Sequence, residues 1–334
     1  MSHSQFTEFY RGKRVLVTGG AGFAGSHLVE QLVSLGAEVT VPRRPTTRLD
    51  YLSAVAGQVR IINADLAEPK GACVAVYNQE IVFHLAAAKG GGIVHSMQHH
   101  GSLFRDNMLT TIHMLEALRL SPPQRVVLTS SACVYPRHCN IPTPEEDGFR
   151  DVPEPTNAGY GWSKRMLEFV AGAYNEEFGL NVGIARPFNL YGPRDDFFAL
   201  SSHVIPGIIR RLYDGENPLV VWGSGRQTRS FLYVDDLVRG LLLLGAHPDY
   251  PGPVNFASPE EVTIQDLAAL IVELSGRDVA LRVDPSRPDG QPRRAGDVSR
   301  ARDELGFEAI VALREGLRCS LSWYEKIRSN GEVV

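Results

Sequence analysis

The chain has 334 residues, 43% of them hydrophobic, which is enough for a large core in one long or two intimately joined domains. A formal net charge of −4 offers no electrostatic attraction to nucleic acid or to an anionic membrane, so neither is expected as a partner. Its four cysteines, Cys73, Cys133, Cys139 and Cys319, have neither metal-ligand spacing nor the density of a disulfide scaffold. Reduced thiols in a cytoplasm and no metal are the expectation.

The opening MSHSQFTEFYRGK lacks the apolar stretch of a secretory leader, and LVRGLLLLGA (237–246) is too short to span a bilayer. Short β-branched runs then alternate with helical patterns. KRVLVT (13–18) is followed by a helix through SHLVEQLVSLG, and EVTVP (38–42), QVRIIN (58–63), EIVFHLA (80–86), RVVLTS (125–130) and NVGIARP (181–187) continue the series. The runs are nearly all apolar rather than alternating, as strands covered on both faces are. Strands alternating with helices predict an α/β fold with a doubly wound parallel sheet. Beyond residue 191 the rhythm breaks. Helical patterns at 204–215 and 263–276 are separated by the short extended pieces PLVVWG and ALRVD, which predicts a smaller lobe beside the sheet. A division follows into a cofactor domain at 1–190, rejoined by part of about 225–260, and a substrate lobe mainly at 191–330.

The first strand–helix turn reads TGGAGFAGSHL, with Gly19, Gly22 and Gly25 spaced so that the backbone can turn tightly and approach a pyrophosphate at a helix N-terminus. Phe23 and Ala24 fall inside that loop. At the end of the second strand, where NAD sites usually carry an acidic residue, stand Pro42, Arg43 and Arg44, with Arg48 nearby. Two guanidiniums suit a 2′-phosphate, which predicts NADP; a solvated arginine pair is the structural alternative. Asp65, followed by Leu66, is a candidate adenine contact and equally a good turn residue.

Tyr160 and Lys164 are four apart and share one helix face. The ammonium is expected to depress the phenol's pKa, letting it exchange a proton with a substrate alcohol or carbonyl. A hydroxyl cluster, Ser130 and Ser131, ends the strand before them.

These features make the chain resemble the extended short-chain dehydrogenases/reductases that act on nucleotide sugars. The resemblance runs through AAAKGGGI (86–93), RDNM (105–108), SSACVYP (130–136), EPTNAGYGWSK (154–164), NLYGPRDDF (189–197), VVWGSG (220–225) and FLYVDDL (231–237). SSHVIP (201–206) and PDGQPR (288–293) point to the GDP-L-fucose synthase group within it. The resemblance implies a Rossmann-type fold with a smaller C-terminal lobe, NADP as cofactor, a homodimer and a nucleotide-sugar substrate, a GDP-sugar being favoured. It also implies a triad of Ser131, Tyr160 and Lys164, with Cys133 and His203 as acid/base residues. Leu85, Ala86, Ala87, Pro187 and Asn189 join the implied cofactor contacts. Lys89, Asn107, Asn189, His203, Val204, Arg211, Trp222, Arg229 and Arg294 are the implied substrate contacts.

The chemistry is coherent. A 4-keto group acidifies the protons at C3 and C5, and a thiol and an imidazole both titrate close enough to neutrality to move them. The structural alternatives are a small buried hydrophobe at Cys133, a helix N-terminal residue at His203 and core filling at Trp222. The expected reaction is 3,5-epimerisation and 4-keto reduction of a GDP-4-keto-6-deoxy sugar. One alternative is a redox-neutral epimerase of the GDP-mannose 3,5 kind, which Ala132 and RQTRSF (226–231) also fit. Those epimerases carry a lysine near the position of His203, and here none lies between Lys164 and Lys326, which favours the epimerase-reductase. A second alternative is a non-catalytic NADP-sensing module, against which the complete triad argues.

Overall fold

The six apolar runs of the first half form strands that each begin within about one residue of the expected start, as the periodicity of buried strands requires. In the computed structural model, which describes residues 1–88, 96–197, 202–249, 252–287 and 291–331, they are β1 (Arg14–Thr18), β2 (Glu38–Arg43) and β3 (Val59–Asn63), then β4 (Ile81–His84), β5 (Arg125–Thr129) and β6 (Val182–Pro187). Short strands follow at β7 (Leu190–Tyr191), β8 (Leu219–Trp222), β9 (Thr228–Ser230) and β10 (Leu232–Tyr233). The series ends with β11 (Pro253–Phe256), β12 (Glu261–Thr263), β13 (Leu281–Asp284) and β14 (Arg293–Arg294).

The large sheet has seven strands in the order β11-β6-β5-β4-β1-β2-β3, all of them parallel. Strand order reverses between β1 and β4, and such a switch point opens a ligand crevice at the carboxyl ends of the strands. Both faces are covered, so neighbouring residues in a strand fill different cores. Val15 and Val17 pack with Leu28, Leu32, Leu241 and Leu244 from the helices Phe23–Ser34 and Val234–Ala246. Leu16 faces the opposite side with Met114, Leu118, Leu167 and Ala171 from the helices His100–Leu120 and Ala158–Phe178. Each such side chain, once fully buried, contributes roughly 1.5–3 kcal/mol.

A third core builds the smaller lobe, where Ile208, Leu267 and Leu317 bring together the helices Val204–Tyr213, Ile264–Ser275 and Leu313–Ser329. Its sheets are two- and three-stranded, β13 on β8 and β9 between β12 and β14, which accounts for the broken rhythm of the sequence there. Strand β11 returns to the edge of the large sheet beside β6, although it lies beyond the first lobe segments in sequence. Among the described residues no helix is long and apolar enough to cross a membrane.

Candidate active site

The glycine turn is shaped by exclusion of side chains. Gly19 sits at φ +69°, and a Cβ there would stand 2.9 Å from the Ala86 nitrogen. A Cβ on Gly25 would overlap the Gly19 carbonyl oxygen, so the helix can approach the strand only with glycine at that position. The helix Phe23–Ser34 starts at Gly22 with no side-chain cap. Its first N–H groups are therefore left to whatever the crevice holds, and they favour an anion.

Thr18, at the end of β1, fixes the opposite wall. Its Oγ1 accepts the N–H groups of Leu85 and Ala86, each at 3.1 Å. Its own proton goes to His84 Nδ1, 2.8 Å away. Burial, with the nearby Lys164 charge, holds His84 down at about 3, so it stays neutral. Leu85 and Ala86 are thus pinned above Gly19, with Ala87 next in the chain.

At the end of β2, among the described residues, Arg43 Nε is buried without a hydrogen-bond partner, Arg44 is exposed and neither has a carboxylate partner. Arg48, by contrast, is engaged with Asp50 at 2.6 Å. A tight glycine cradle, an uncapped helix and an orphaned guanidinium nitrogen fit a dinucleotide with its phosphates. Asp65 is exposed and accepts the Ala67 N–H at 3.0 Å, which makes it a turn residue in this structure, and Leu66 beside it is buried.

Where β5 ends, the two serines part. Ser130 is buried and donates to Glu168. Ser131 caps the short turn Ala132–Val134, accepting the Cys133 N–H at 3.1 Å, and hydrogen-bonds the Tyr160 hydroxyl. Lys164 Nζ donates to the Thr129 carbonyl at 2.7 Å and lies 5.6 Å from the Tyr160 ring centre. Burial lowers Lys164 to about 8, against the pull of Glu168 and of the Cys133 thiol.

The expected depression of Tyr160 is not what the geometry produces. Burial raises its pKa well above the ordinary phenol value, Cys133 adds to the rise, and the Ser131 hydrogen bond opposes it. Desolvation, and not the Lys164 charge, sets the direction. Tyr160 therefore rests as a neutral phenol, the form that donates a proton.

Cys133 is half-buried, and Arg294 reaches it from β14 with Nη2 3.9 Å from Sγ. Helix Ala158–Phe178 presses on the same turn: a Cβ on Gly161 would lie 2.6 Å from the Cys133 oxygen. Arg229 pairs in register with Arg294 on β9 and donates to Thr228 O at 2.7 Å. Trp222 is 53% exposed with the Arg287 guanidinium 5.2 Å from its ring centre, so it is not core filling.

Other expected contacts are committed to protein partners. Asn107 is buried, and both of its amide protons go to the carbonyls of Ala88 and Leu103, at 2.7 and 2.8 Å. It also accepts the Ala88 N–H at 3.0 Å, so it shapes the loop after β4. Arg211 donates to Glu216 at 3.1 Å and to the Val220 carbonyl at 2.8 Å inside the lobe. Asn189, at φ +36°, donates to Ser230 O at 2.8 Å and ties the exit of β6, just past the half-buried Pro187, to β9. His203 and Val204 are exposed at the start of the helix Val204–Tyr213; His203 occupies the capping position without a side-chain cap bond. Lys89 lies outside the described residues.

Residues 15–257 match the NAD dependent epimerase/dehydratase family. The chain belongs to that family. The dTDP-4-dehydro-6-deoxy-D-allose reductase of a Streptomyces species is 36% identical over 322 residues, covering 94% of this chain and 97% of its own. A probable GDP-L-fucose synthase of Oryza sativa subsp. japonica is 34% identical over 319 residues, covering 94% and 92%. A dTDP-glucose 4,6-dehydratase of Streptomyces venezuelae, solved with NAD bound, is 27% identical with a TM-score of 0.80 over 95% of this chain and 98% of that one. The resemblance read from the motifs is borne out, including the Rossmann-type sheet and kinship with nucleotide-sugar epimerases and reductases. The family uses a nicotinamide cofactor.

In this member of the family the sequence reading missed the polar support beneath the triad. Glu168 lies one turn past Lys164, so Tyr160, Lys164 and Glu168 share a helix face, a spacing that was available as a signal. Its carboxylate forms a fully buried fork with Arg186, Nε to Oε1 at 2.9 Å and Nη2 to Oε2 at 2.6 Å. Arg186 also donates to the Tyr135 hydroxyl at 2.9 Å and the Glu145 carbonyl at 2.7 Å. A charge inside the apolar run VGIARP was the other hint of this network.

Proposed function

We propose that the protein is an NADPH-dependent reductase of nucleotide-linked 4-keto-6-deoxy sugars, a GDP-sugar foremost, that also inverts configuration beside the carbonyl. The observation that carries this reading is the Cys133 thiol set against the Ser131, Tyr160 and Lys164 groups, with Arg294 beside it. A reductase that only reduces C4 has no use for a thiol there.

A nicotinamide dinucleotide held at the glycine turn of Gly19, Gly22 and Gly25 would supply the hydride for reduction at C4. Tyr160, neutral at rest, gives its proton to the C4 oxygen while Ser131 holds that oxygen. Lys164, kept close by its bond to Thr129 O, favours the phenolate that remains. Before reduction, Cys133 and His203 remove and return protons at C3 and C5, which the C4 carbonyl acidifies. Arg229 and Arg294 neutralise the diphosphate, and the exposed face of Trp222 stacks on the base. Asn107 and Arg211 position the loop and lobe around the sugar rather than touching it.

NADP preference is supported by Arg43 and Arg44, whose guanidiniums have no carboxylate partner among the described residues. Replacing both by serine removes two charge-assisted contacts, each worth about 1.5–3 kcal/mol. The expected result is a KM for NADPH raised ~100-fold or more with that for NADH little changed. Equal loss with both coenzymes would mean that the arginines do not read the phosphate.

A second reading has support from the relative named as a dTDP-4-dehydro-6-deoxy-D-allose reductase: plain reduction of a dTDP-sugar. Offering GDP- and dTDP-linked 4-keto-6-deoxy sugars with NADPH, and following absorbance and product stereochemistry, separates the readings. In the proposed organisation, residues 1–190 with part of about 225–260 hold the cofactor and 191–330 mainly the sugar. The helices His100–Leu120 and Ala158–Phe178 leave Leu109, Trp162 and Phe169 exposed, which supports a homodimer through that face. Four free cysteines suit the reducing cytoplasm we propose as its location.

A further inference from the structure

Asp195 follows β7 in the segment that leads toward His203. Its side chain is buried, with Oδ1 accepting the Asp196 N–H at 2.8 Å and standing 3.4 Å from His203 Nδ1. Oδ2 is buried and has no hydrogen-bond partner among the described residues. A buried carboxylate oxygen without a donor is costly, and one in a native fold needs a reason.

The chain on either side holds Asp195 in place. Arg194, at φ +70°, donates to Ser26 Oγ at 3.1 Å and Glu30 at 2.7 Å on the helix Phe23–Ser34. Phe197 is wholly buried, its ring 5.3 Å from Trp323 and 5.1 Å from Tyr324. Anchored to the cofactor lobe before it and the sugar lobe after it, the carboxylate cannot swing out to water. Among the described residues it is the acidic group within ion-pair reach of His203.

We infer that Asp195 is the positioning residue of His203: it accepts a hydrogen bond from Nδ1–H and leaves Nε2 as the nitrogen that exchanges protons with the sugar. A carboxylate on one imidazole nitrogen fixes both the tautomer and the ring orientation. The 3.4 Å separation suits an unliganded site, where catalytic hydrogen bonds are often long and tighten with substrate. The inference rests on the reading of His203 as an acid/base residue.

The test is the nitrogen spectrum of the full chain labelled with 15N-histidine, at a pH where the ring is neutral, with His203 assigned by the loss of its signals in His203→Gln. We expect the Nδ1–H tautomer in the wild type, a move to Nε2–H in Asp195→Ala and its recovery in Asp195→Glu. Exchange of the sugar's C3 and C5 hydrogens with D2O should fall about 10- to 100-fold in Asp195→Ala and partly recover in Asp195→Glu. An Nε2–H wild-type ring, or an Nδ1–H ring that Asp195→Ala leaves untouched, overturns the inference. The wild-type spectrum decides even if Asp195→Ala does not fold. If His203→Gln keeps full exchange, the acid/base reading fails while the tautomer result stands separately.

Discussion

Tyr160→Phe should lower kcat for reduction by about 10²- to 10⁴-fold, the contribution of a positioned proton donor. That is about 3–5 kcal/mol of barrier. The loss is large because Ser131, though it can hold the C4 oxygen, is a far weaker acid than a phenol, and Lys164 is turned to the Thr129 carbonyl. The same electrostatics set the pH profile. Tyr160 keeps its proton far above neutrality, whereas Lys164 loses its own at about 8. The ammonium is present below that pH and absent above it, so the wild-type rate should fall as pH rises through about 8. Stopped-flow NADPH oxidation measures both effects. A Tyr160→Phe enzyme within tenfold of wild type, or a rate flat to pH 10, would remove Tyr160 and Lys164 from the proton path.

Glu168→Gln should destabilise the fold by about 3–5 kcal/mol, the cost of leaving the buried Arg186 charge uncompensated. Whole domains are stable by only 5–15 kcal/mol, so this single amide should move the urea midpoint visibly. The fork is buried on both sides, so solvent cannot repay the lost carboxylate. Ser130 loses its charged acceptor as well. Replacing the pair together, Glu168→Leu with Arg186→Met, should recover much of the loss because no buried charge remains. Removing Glu168 also takes away the charge that holds Lys164 up, so the alkaline fall in rate should begin below about 8. A midpoint change worth less than about 1 kcal/mol would mean that the pair is solvated in solution.

The strands were legible because Val15, Leu16 and Val17 fill cores on opposite faces of the sheet, which leaves an unbroken apolar run. The glycine turn was legible because three glycines between a strand and a helix leave little else to build. The shared helix face of Tyr160 and Lys164 was legible from their spacing, whereas only the resemblance to the family distinguished Ser131 from Ser130. The sign of the Tyr160 shift was not, since spacing reports the neighbouring charge but not how deeply the phenol is buried. Contacts across long stretches of chain were hidden too. Arg294 meets Cys133 across 161 positions and arrives on a two-residue strand whose register no local pattern announces. Asp195 reads as an ordinary turn residue in GPRDDF, and only its burial distinguishes it. Asn107 and Arg211 were expected as ligand contacts from the resemblance to the family; in the structure they bond the Ala88 loop and Val220.

The central claim, inversion coupled to reduction in one site, is tested most directly by running wild type and Cys133→Ser in D2O with NADPH and GDP-4-keto-6-deoxymannose. The product is then read by NMR. The account predicts that wild type oxidises NADPH and carries deuterium into the carbons beside C4. Cys133→Ser should still reduce C4 but lose deuterium at an inverted carbon by about 10²-fold or more. NADPH oxidation by wild type with no deuterium beside C4 would contradict the account and leave a plain 4-keto reductase.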